Sequence, residues 1–415
     1  MTGGDYVMRT VISRSATIGA VLALCGALAG CGEEKSTSSG DGGGQEKQSG
    51  PITIGAAIDQ TKLMKNFDGP ALASAKLRAE EINAQGGVNG RKIEFKVQNT
   101  QLDPDRTRSA ALSLTEAGAD IMWVTCDVDF STPSIQVALS KKLLTVAPCI
   151  GTDQMGPKRF GEAGKQAFSF GNVAQDEGAA VAQMAYDKGF RTANVVMDKS
   201  IVYTQNVCAA FAKGFEGLGG KIALRESFTE GDKTIGNVVS RVNRSDADTI
   251  AFCATTQNDL PAFVSGVRGG GNKTPIVGPW SIDGAYWLPK NKKASDEIYL
   301  TTYASVYGDD PSPEVRGLID QLTKSGTPPV TGGFLAGAGA IDGLVAALKE
   351  TGGSTEGAKL AGALTGFKDL QTVSGKLSFS DEFHTAFGRE YRIIEIQNGK
   401  PRFTGLVKAK TPAEL

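Results

Sequence analysis

Few side chains in this sequence are suited to acid–base catalysis or to metal binding. Its 415 residues include a single histidine, His384, in a polar segment where we expect a surface turn. A Ser-His-Asp triad, a Cys-His dyad and most catalytic zinc sites need a histidine close to other functional groups. An isolated histidine argues against these chemistries, so the sequence predicts a protein that is not an enzyme and that needs no metal or cofactor.

Two glycine-rich segments match nucleotide-binding motifs only in part. Residues 266–274 approach a phosphate loop, but Asn272 follows Gly271 where that motif needs a lysine. Residues 337–342 begin like a dinucleotide fingerprint, but Asp342 stands where the third glycine should be. We interpret these glycines as packing positions in a folded core.

One cysteine, Cys31, has the surroundings of a lipid attachment site. It ends an uncharged run, residues 16–30, that follows Arg9 and Arg14. This order is typical of a secretory signal, because a membrane span needs about 20 apolar residues. The run ends in the letters LAGC, which resemble a bacterial lipobox, where the cysteine is acylated and becomes the new amino terminus. A chance run of small residues is the alternative interpretation.

The segment behind Cys31, residues 32–50, contains no apolar residue. This composition cannot join a core and is typical of a flexible tether. We therefore expect an exported protein, held by a lipid on Cys31 in the periplasm or at the outer face of the cytoplasmic membrane. The formal net charge is −1, without the basic patch that nucleic acids or anionic membranes need, so neither is an expected partner.

The chain after residue 50 begins with a strand–helix–strand–helix unit. Residues 52–58 are an apolar, β-branched run, as in a strand buried on both faces of a parallel sheet. After a loop over residues 59–69, apolar residues at helical spacing predict a helix through Ile82, and residues 92–97 alternate like an edge strand. Asp103 and Pro104 then open a second helix. Further along, a loop is expected over residues 125–132, before a helix that starts at Pro133.

This unit resembles the amino-terminal signature of type I periplasmic binding proteins, in the branch that binds leucine, isoleucine and valine. The pattern ITIGAAID…FDG…AEEINAQGGVNGRKIEF…DP carries the likeness, most specifically in residues 81–91. It continues through residues 143–148, 198–203, 248–263 and 277–279 and weakens after Tyr303. The resemblance implies an α/β fold of two doubly wound parallel-sheet lobes joined by a three-strand hinge.

The domain organisation follows from this fold and from a chain too long for one ordinary core. We expect hinge crossovers near Gly171, Tyr303 and Ser374. The strand over residues 376–379 and the hairpin around Asn398 and Gly399 are expected at the edge of lobe two. The predicted parts are a signal peptide (1–30), a tether (31–50), lobe one (51–171 with 304–374), lobe two (172–303 with 375–407) and a tail (408–415).

By resemblance, the ligand lies in the cleft between the lobes, beyond the carboxyl ends of the strands. Phe67 would place its ring against the ligand, unless it packs only on its own lobe, and Thr152 could supply a hydroxyl. The positions that match the family's ligand contacts are Phe67, Thr125, Cys126, Asp127, Ile150, Gly151 and Thr152 in lobe one and Tyr203, Thr255 and Thr256 in lobe two.

Departures from the family pattern concern the ligand's polar groups. Amino-acid-binding members carry an acidic residue after Gly-Pro to meet the ligand ammonium, but here Trp280 follows Gly-Pro. Asp283 lies nearby and could substitute. Asp59, Asp127 and Asp129 also put carboxylates on the side of lobe one. These departures leave open whether the ligand is an aliphatic amino acid.

Four cysteines remain for the two lobes, and an even number in an exported protein favours disulfides. Cys126 and Cys149 end strands that should be adjacent in lobe one, whereas Cys208 and Cys253 both belong to lobe two. We predict these two pairs, with four buried thiols as the alternative.

The sequence thus predicts an exported, monomeric solute-binding lipoprotein. It would capture a small polar ligand, an amino acid or a related compound, and deliver it to the permease of an ABC importer. A sensing subunit that reports its ligand to a membrane receptor is the alternative, and a hydrolase without recognisable motifs is a weaker one.

Overall fold

The computed structural model describes residues 50–255 and 259–410, so Cys31, the signal, the tether and Thr256 lie outside the described residues. A first sheet has the order β13-β5-β4-β3-β1-β2, and all its strand pairs are parallel. Its strands are β1 (Ile52–Ile58), β2 (Ile93–Asn99), β3 (Ile121–Val124), β4 (Leu144–Ala147), β5 (Ala167–Asn172) and β13 (Thr385–Ala386).

A second sheet has the order β15-β14-β10-β9-β8-β6-β7, in which only β14 and β15 run antiparallel to their neighbours. Its strands are β6 (Thr192–Asp198), β7 (Lys221–Phe228), β8 (Thr249–Cys253), β9 (Ile276–Gly278), β10 (Ile298–Thr302), β14 (Tyr391–Gln397) and β15 (Lys400–Val407). A small antiparallel pair joins β11 (Leu370–Thr372) and β12 (Gly375–Leu377). The predicted hairpin is confirmed, with Asn398 and Gly399 at positive φ in its two-residue turn.

Helices cover both faces of each main sheet, so each sheet with its helices forms one lobe. They are α1 (Lys65–Ala84), α2 (Pro104–Glu116), α3 (Val128–Ser140), α4 (Pro157–Phe160), α5 (Ala174–Asp187), α6 (Val202–Gly217), α7 (Ile235–Val242), α8 (Asp259–Gly269), α9 (Pro313–Lys324), α10 (Phe334–Glu350) and α11 (Gly357–Gly366). Lobe one packs α1, α10 and α11 on one face and α2 and α3 on the other; lobe two packs α5 and α6 opposite α7 and α8. The predicted doubly wound α/β fold with two lobes is confirmed.

Some glycines of the two incomplete nucleotide motifs pack closely, whereas Gly269 and Gly271 border open space. Gly337 lies in α10, where an added Cβ would collide with the carbonyl group of Ala71 in α1. A Cβ on Gly266 would lie 3.0 Å from the side chain of Val239. Both positions therefore allow two helices to approach, as interpreted from the sequence.

Two helices begin earlier than the sequence predicts. The loops expected over residues 59–69 and 125–132 are shorter, because Pro70 and Pro133 lie in the second turn of α1 and α3 instead of at their starts. A proline inside a helix leaves the carbonyl four residues earlier without its N–H partner. In α1 that carbonyl belongs to Asn66, and it accepts a hydrogen bond from the Thr331 hydroxyl at 3.3 Å.

The third crossover between the lobes lies later than predicted. The strand expected in lobe two over residues 376–379 belongs to lobe one, where Phe379 packs edge-on against Phe168 and Phe170 of β5. β13 then pairs with β5, so the chain crosses between Ala386 and Tyr391 instead of near Ser374. The sequence could not show this because the pairing depends on side chains more than 200 residues away.

The three crossovers meet through polar side chains. Asn172 ends lobe one's β5, Tyr303 follows lobe two's β10, and Tyr391 begins β14. The Asn172 backbone N–H donates to the Tyr303 hydroxyl at 3.2 Å, and its side-chain amide donates to the Tyr391 hydroxyl. One residue from each crossing segment therefore takes part in a single buried hydrogen-bonded group.

The prediction of a surface position for His384 is wrong. Only 2% of this residue is exposed, its ring stacks on Phe168 with the centroids 4.1 Å apart, and Nδ1 lies 3.0 Å from the carbonyl oxygen of Ala167. Burial lowers the pKa of His384. The residues next to His384 in the sequence are polar and suggested a surface turn. The apolar surface that buries its ring belongs to Phe168, which is distant in the sequence.

Candidate ligand-binding site

The two main sheets reverse their strand order at equivalent places. In lobe one β1 lies between β2 and β3, and in lobe two β6 lies between β7 and β8. Loops that leave the carboxyl ends of strands on either side of such a switch point diverge and open a crevice. The segments after β1, β3, β6 and β8 therefore form the walls of a cleft.

A narrow pocket lies where these segments meet. Both lobes line it, which is the arrangement expected of a closed cleft. From lobe one come Met64, Phe67, Cys126, Asp127, Cys149 and Gly151, and from lobe two come Ile201, Tyr203, Thr255, Trp280 and Ser281.

Aromatic rings make the main contact across this pocket. Trp280 of lobe two meets Phe67 of lobe one edge-on, with the ring centroids 5.0 Å apart at 86°. Tyr203 lies at 6.5 Å on another side of Trp280, and Tyr303 stacks on the indole at 5.2 Å. Edge-on and offset pairs are the favourable aromatic geometries. Trp280 therefore connects the pocket to a hinge residue, Tyr303.

Asp68, which the sequence did not single out, holds the lobe-one wall in place. Its carboxyl accepts hydrogen bonds from the backbone N–H groups of Cys126 and Asp59, both at 2.8 Å. Complete burial raises the pKa of Asp68 to about 8. The Asp59 carboxylate accepts from the N–H groups of Lys62 and Met64, so it shapes the loop after β1 and is not a ligand group.

Asp127 lines the pocket and also caps α3. Its Oδ1 accepts from the N–H groups of Asp129 and Phe130 at 2.9 and 3.1 Å. Burial, with the negative charge of Asp129 as the second cause, raises the pKa of Asp127 to about 7. This cap explains the early start of α3, because an N-cap side chain replaces hydrogen bonds that the first turn lacks.

Glu177 stands behind the aromatic wall of lobe two. This buried residue of α5 accepts from the Trp280 backbone N–H at 2.7 Å, the Thr301 hydroxyl at 3.2 Å and the Tyr203 hydroxyl at 2.8 Å. Burial raises its pKa to about 8. An acidic residue within the apolar face of α5 was the only sequence signal that could have drawn attention to it.

Seven of the predicted site residues line the pocket: Phe67, Cys126, Asp127, Gly151, Tyr203, Thr255 and Trp280. Met64, Ile201 and Ser281 also line the pocket, although nothing in the sequence singled them out, and Cys149, predicted only as a disulfide partner, belongs to the wall as well. Gly151 is needed there, because an added Cβ would lie 2.8 Å from the Tyr203 ring.

Four other predicted residues lie outside the pocket wall. Ile150 is buried in the core beneath α3, and Thr125 lies beside the Asp68 carboxyl. The Thr152 hydroxyl faces Asp153 and Asn206, at 3.3 and 3.4 Å. Asp283 accepts from the Thr302 hydroxyl and the Gly332 N–H, both at 2.7 Å.

A polar contact joins the lobes at the rim of the cleft. The Asp129 carboxylate accepts from the backbone N–H of Val202, the first residue of α6, at 2.9 Å. Its other oxygen lies 2.8 Å from the Arg159 guanidinium. Asp129 therefore belongs to the interface between the lobes, although it does not line the pocket.

Comparison with known proteins identifies the family. A model of the periplasmic binding proteins matches residues 51–401. The chain belongs to the periplasmic binding protein family. It is similar to a leucine-, isoleucine-, valine-, threonine- and alanine-binding protein of Pseudomonas aeruginosa, with 21% identity over 80% of this chain and 86% of that protein. An amino acid binding protein of the same species is 25% identical over 78% of this chain and 85% of its own length.

Solved structures share the fold of this periplasmic binding protein. The branched-chain amino acid transporter substrate-binding protein LivJ of Streptococcus pneumoniae, in complex with isoleucine, superposes with a TM-score of 0.75 at 19% identity, covering 86% of this chain and 99% of that one. A solute-binding protein of an ABC transporter from R. palustris, in complex with benzoate, gives 0.72 at 17% identity, covering 88% and 98%. The family and the fold are those of solute-binding proteins and not of enzymes.

The structure of this binding protein joins Cys126 to Cys149 and Cys208 to Cys253, the pairs predicted from the sequence. Their Cα atoms lie 4.7 and 5.7 Å apart. The first disulfide ties the loop after β3 to the loop after β4 and forms part of the pocket wall. The second ties α6 to β8 within lobe two.

Removing either disulfide should lower stability, but only one removal should weaken ligand binding. The bridges close chain segments with sequence separations of 23 and 45 residues. Loops of this size are worth about 3 to 4 kcal/mol in the chain-entropy model. We expect Cys126→Ala/Cys149→Ala to lose affinity at least about tenfold. The matched control Cys208→Ala/Cys253→Ala should keep its affinity. Thermal melts and calorimetry measure both quantities, and equal affinities for the two variants would contradict the prediction.

The stability of the binding protein should fall as the pH rises from 6.5 to 8. Asp68, Asp127 and Glu177 have raised pKa values in the folded state, of about 8, 7 and 8. The folded protein therefore holds protons that the unfolded chain, with carboxyl pKa values near 4, has released. Each such group can contribute a slope of up to about 1.4 kcal/mol per pH unit.

The test is denaturant unfolding at several pH values and constant ionic strength. His384 has a lowered pKa, so its stabilising contribution is lost as the pH falls below about 6.5, and the window above that value isolates the carboxyls. A free energy of unfolding that stays constant or rises between pH 6.5 and 8 would show that the three groups are ionised in the folded protein.

Proposed function

We propose that this protein captures a small polar solute between its two lobes and delivers it to the permease of an ABC importer. The pocket shared by lobe one and lobe two supports this proposal most directly, because a ligand placed there contacts both lobes at once. Contacts that exist only when the cleft is closed make the ligand stabilise the closed form. The three crossing segments that meet at Asn172, Tyr303 and Tyr391 are the proposed hinge.

The proposed ligand is an amino acid or a related compound. The similar protein of Pseudomonas aeruginosa is named for the amino acids it binds, and LivJ was solved with isoleucine, which supports a ligand of this size. The benzoate complex shows that a protein of this fold can also bind a different carboxylate. The residues proposed to contact the ligand are those of the pocket wall, with Phe67 on lobe one and Tyr203 and Trp280 on lobe two. The protein is proposed to act as a monomer.

Attachment to the membrane by a lipid on Cys31 is part of the proposal. The described residues include no helix long and apolar enough to cross a bilayer. Mass spectrometry of the amino-terminal peptide of the protein taken from membranes should find an acylated Cys31. An unmodified Cys31 at the mature terminus, or an intact signal, would refute the anchor without affecting the binding function.

The binding function is tested by what the protein carries and how it moves. Mass spectrometry of material released from denatured, purified protein should identify a small solute. Small-angle scattering should then show compaction when that solute is added back to the ligand-free protein. Saturation without compaction would refute capture by hinge closure. Genetic deletion that leaves uptake of the identified solute unchanged would refute the importer role.

A further inference from the structure

In the part of the chain that the structure describes, the lobe-two side of the pocket offers no carboxylate that is ready to receive an ammonium group. Glu177 already accepts three hydrogen bonds, from Trp280, Thr301 and Tyr203. Asp283 accepts from Thr302, Gly332, Gly284 and Tyr307, and it lies outside the pocket wall. Both acidic groups near Trp280 are therefore occupied by the protein itself.

Two polar groups on the same side are in the opposite situation. The indole Nε1 of Trp280 and the hydroxyl of Thr255 are buried and have no hydrogen-bond partner within the described residues. Both residues line the pocket, and each is 4% exposed. An indole N–H can only donate, and a buried donor without an acceptor is unfavourable. The lobe-two wall therefore presents an indole N–H that needs an acceptor from the ligand, and a hydroxyl that can either donate or accept.

The remaining wall fits an apolar ligand body. Phe67, Tyr203, Met64 and Ile201 surround the space, and no lysine or arginine of the described residues lines it. One carboxyl oxygen of Asp127 accepts the two backbone hydrogen bonds that cap α3. The lobe-two wall of the pocket thus combines apolar surface with one unpaired donor, the Trp280 indole, and one unpaired hydroxyl, that of Thr255.

We propose that the ligand has no ammonium group and presents a carbonyl-type oxygen, from a carboxylate or a carboxamide, to Trp280 Nε1–H and the Thr255 hydroxyl. The inference rests on the proposed function, because it concerns the same pocket. It assigns Trp280 a new role: where amino-acid-binding relatives would need an acceptor for the ligand ammonium, this protein places a donor. The apolar body of the ligand lies against Phe67 and Tyr203.

Matched compounds that differ only in their polar groups test the proposal by calorimetry. One set is L-leucine, 4-methylpentanoate and 4-methylpentanamide, and the other is L-phenylalanine, 3-phenylpropanoate and 3-phenylpropanamide. We expect at least one ammonium-free compound to bind about tenfold or more tightly than its amino acid. Comparison of the acid with the amide then shows which carbonyl-type group the pocket takes.

Two tryptophan variants test the role of the indole N–H. Trp280→Phe keeps an aromatic ring but removes the donor, and it should weaken binding of the preferred compound by about tenfold, as the loss of one hydrogen bond does. Trp123→Phe is the control, because Trp123 also has a buried Nε1 without a partner but lies in the core of lobe one. It should bind as the wild type does.

The outcomes separate this inference from the proposed function. Tighter binding of an amino acid than of both its ammonium-free analogues would overturn the inference, while compaction with that amino acid would still support capture by closure. Unchanged affinity of Trp280→Phe, or binding of none of the six compounds, would also overturn it. The released solute identified by mass spectrometry judges the proposed function independently.

Discussion

Trp280→Ala should weaken ligand binding by about 30- to 1,000-fold, which corresponds to about 2 to 4 kcal/mol for the loss of a central aromatic contact. The reason is that Trp280 touches Phe67 of lobe one, Tyr203 of lobe two and the hinge residue Tyr303. Its removal takes away both a ligand surface and the main apolar contact across the cleft. Calorimetry should show the loss of affinity, and small-angle scattering should show that compaction is lost.

A variant in the core of lobe two separates binding from stability. Phe252 is fully buried, and its ring stacks on Phe263 with the centroids 4.3 Å apart, away from the pocket. Phe252→Ala should lower the free energy of unfolding by about 3 to 5 kcal/mol, whereas the remaining folded protein should bind and close normally. If Trp280→Ala bound and closed like the wild type, the ligand would have to lie elsewhere and Trp280 would be only a core residue.

Glu177→Ala should lower the free energy of unfolding by about 3 kcal/mol or more. The substitution leaves the Trp280 N–H, the Thr301 hydroxyl and the Tyr203 hydroxyl without their acceptor in a buried site. Each unsatisfied buried group costs about 1 to 3 kcal/mol, part of which small shifts and water can recover. Denaturant unfolding at pH 6 measures the loss.

Glu177→Gln distinguishes a neutral from a charged side chain at this position. Because the pKa of Glu177 is raised to about 8, the carboxyl is protonated at pH 6, and a glutamine of similar shape should cost less than about 1 kcal/mol. A loss as large as that of the alanine variant would indicate that Glu177 is ionised and that its charge stabilises the wall of lobe two.

Local sequence patterns predicted the fold because alternating strands and helices constrain a parallel sheet strongly. The same patterns predicted the pocket residues that lie just after strands, such as Cys126 and Thr255. The sequence shows which loop reaches the cleft but not which side chains turn inward, so it did not distinguish Gly151, which lines the pocket, from Ile150 and Thr152, which do not. Glu177 was not predicted as part of the site because its partner Trp280 is 103 residues away in the sequence.

The predictions of a crossover near Ser374 and of a surface position for His384 failed for a related reason. Residues 375–386 have little local signal of their own, and their place is decided by packing on Phe168 and Phe170. The predicted starts of α1 and α3 were too late for a different reason. Proline was interpreted as the first helical residue, although the Asp127 cap and the contact of Thr331 with Asn66 allow it in the second turn.

The contact between Asp129 and the Val202 N–H should affect how tightly solutes bind but not which solute is preferred. It lies outside the pocket wall, so it contributes the same free energy to closure whichever solute is bound. A charge-assisted hydrogen bond is worth about 1.5 to 3 kcal/mol, enough to shift an open–closed ratio by at least about tenfold. Changes at this rim contact would scale the affinities for all solutes together and leave their ratios unchanged. If the lobes close on the ligand as proposed, substitutions at this contact can therefore adjust how much solute is needed to close the cleft without altering which solute is preferred.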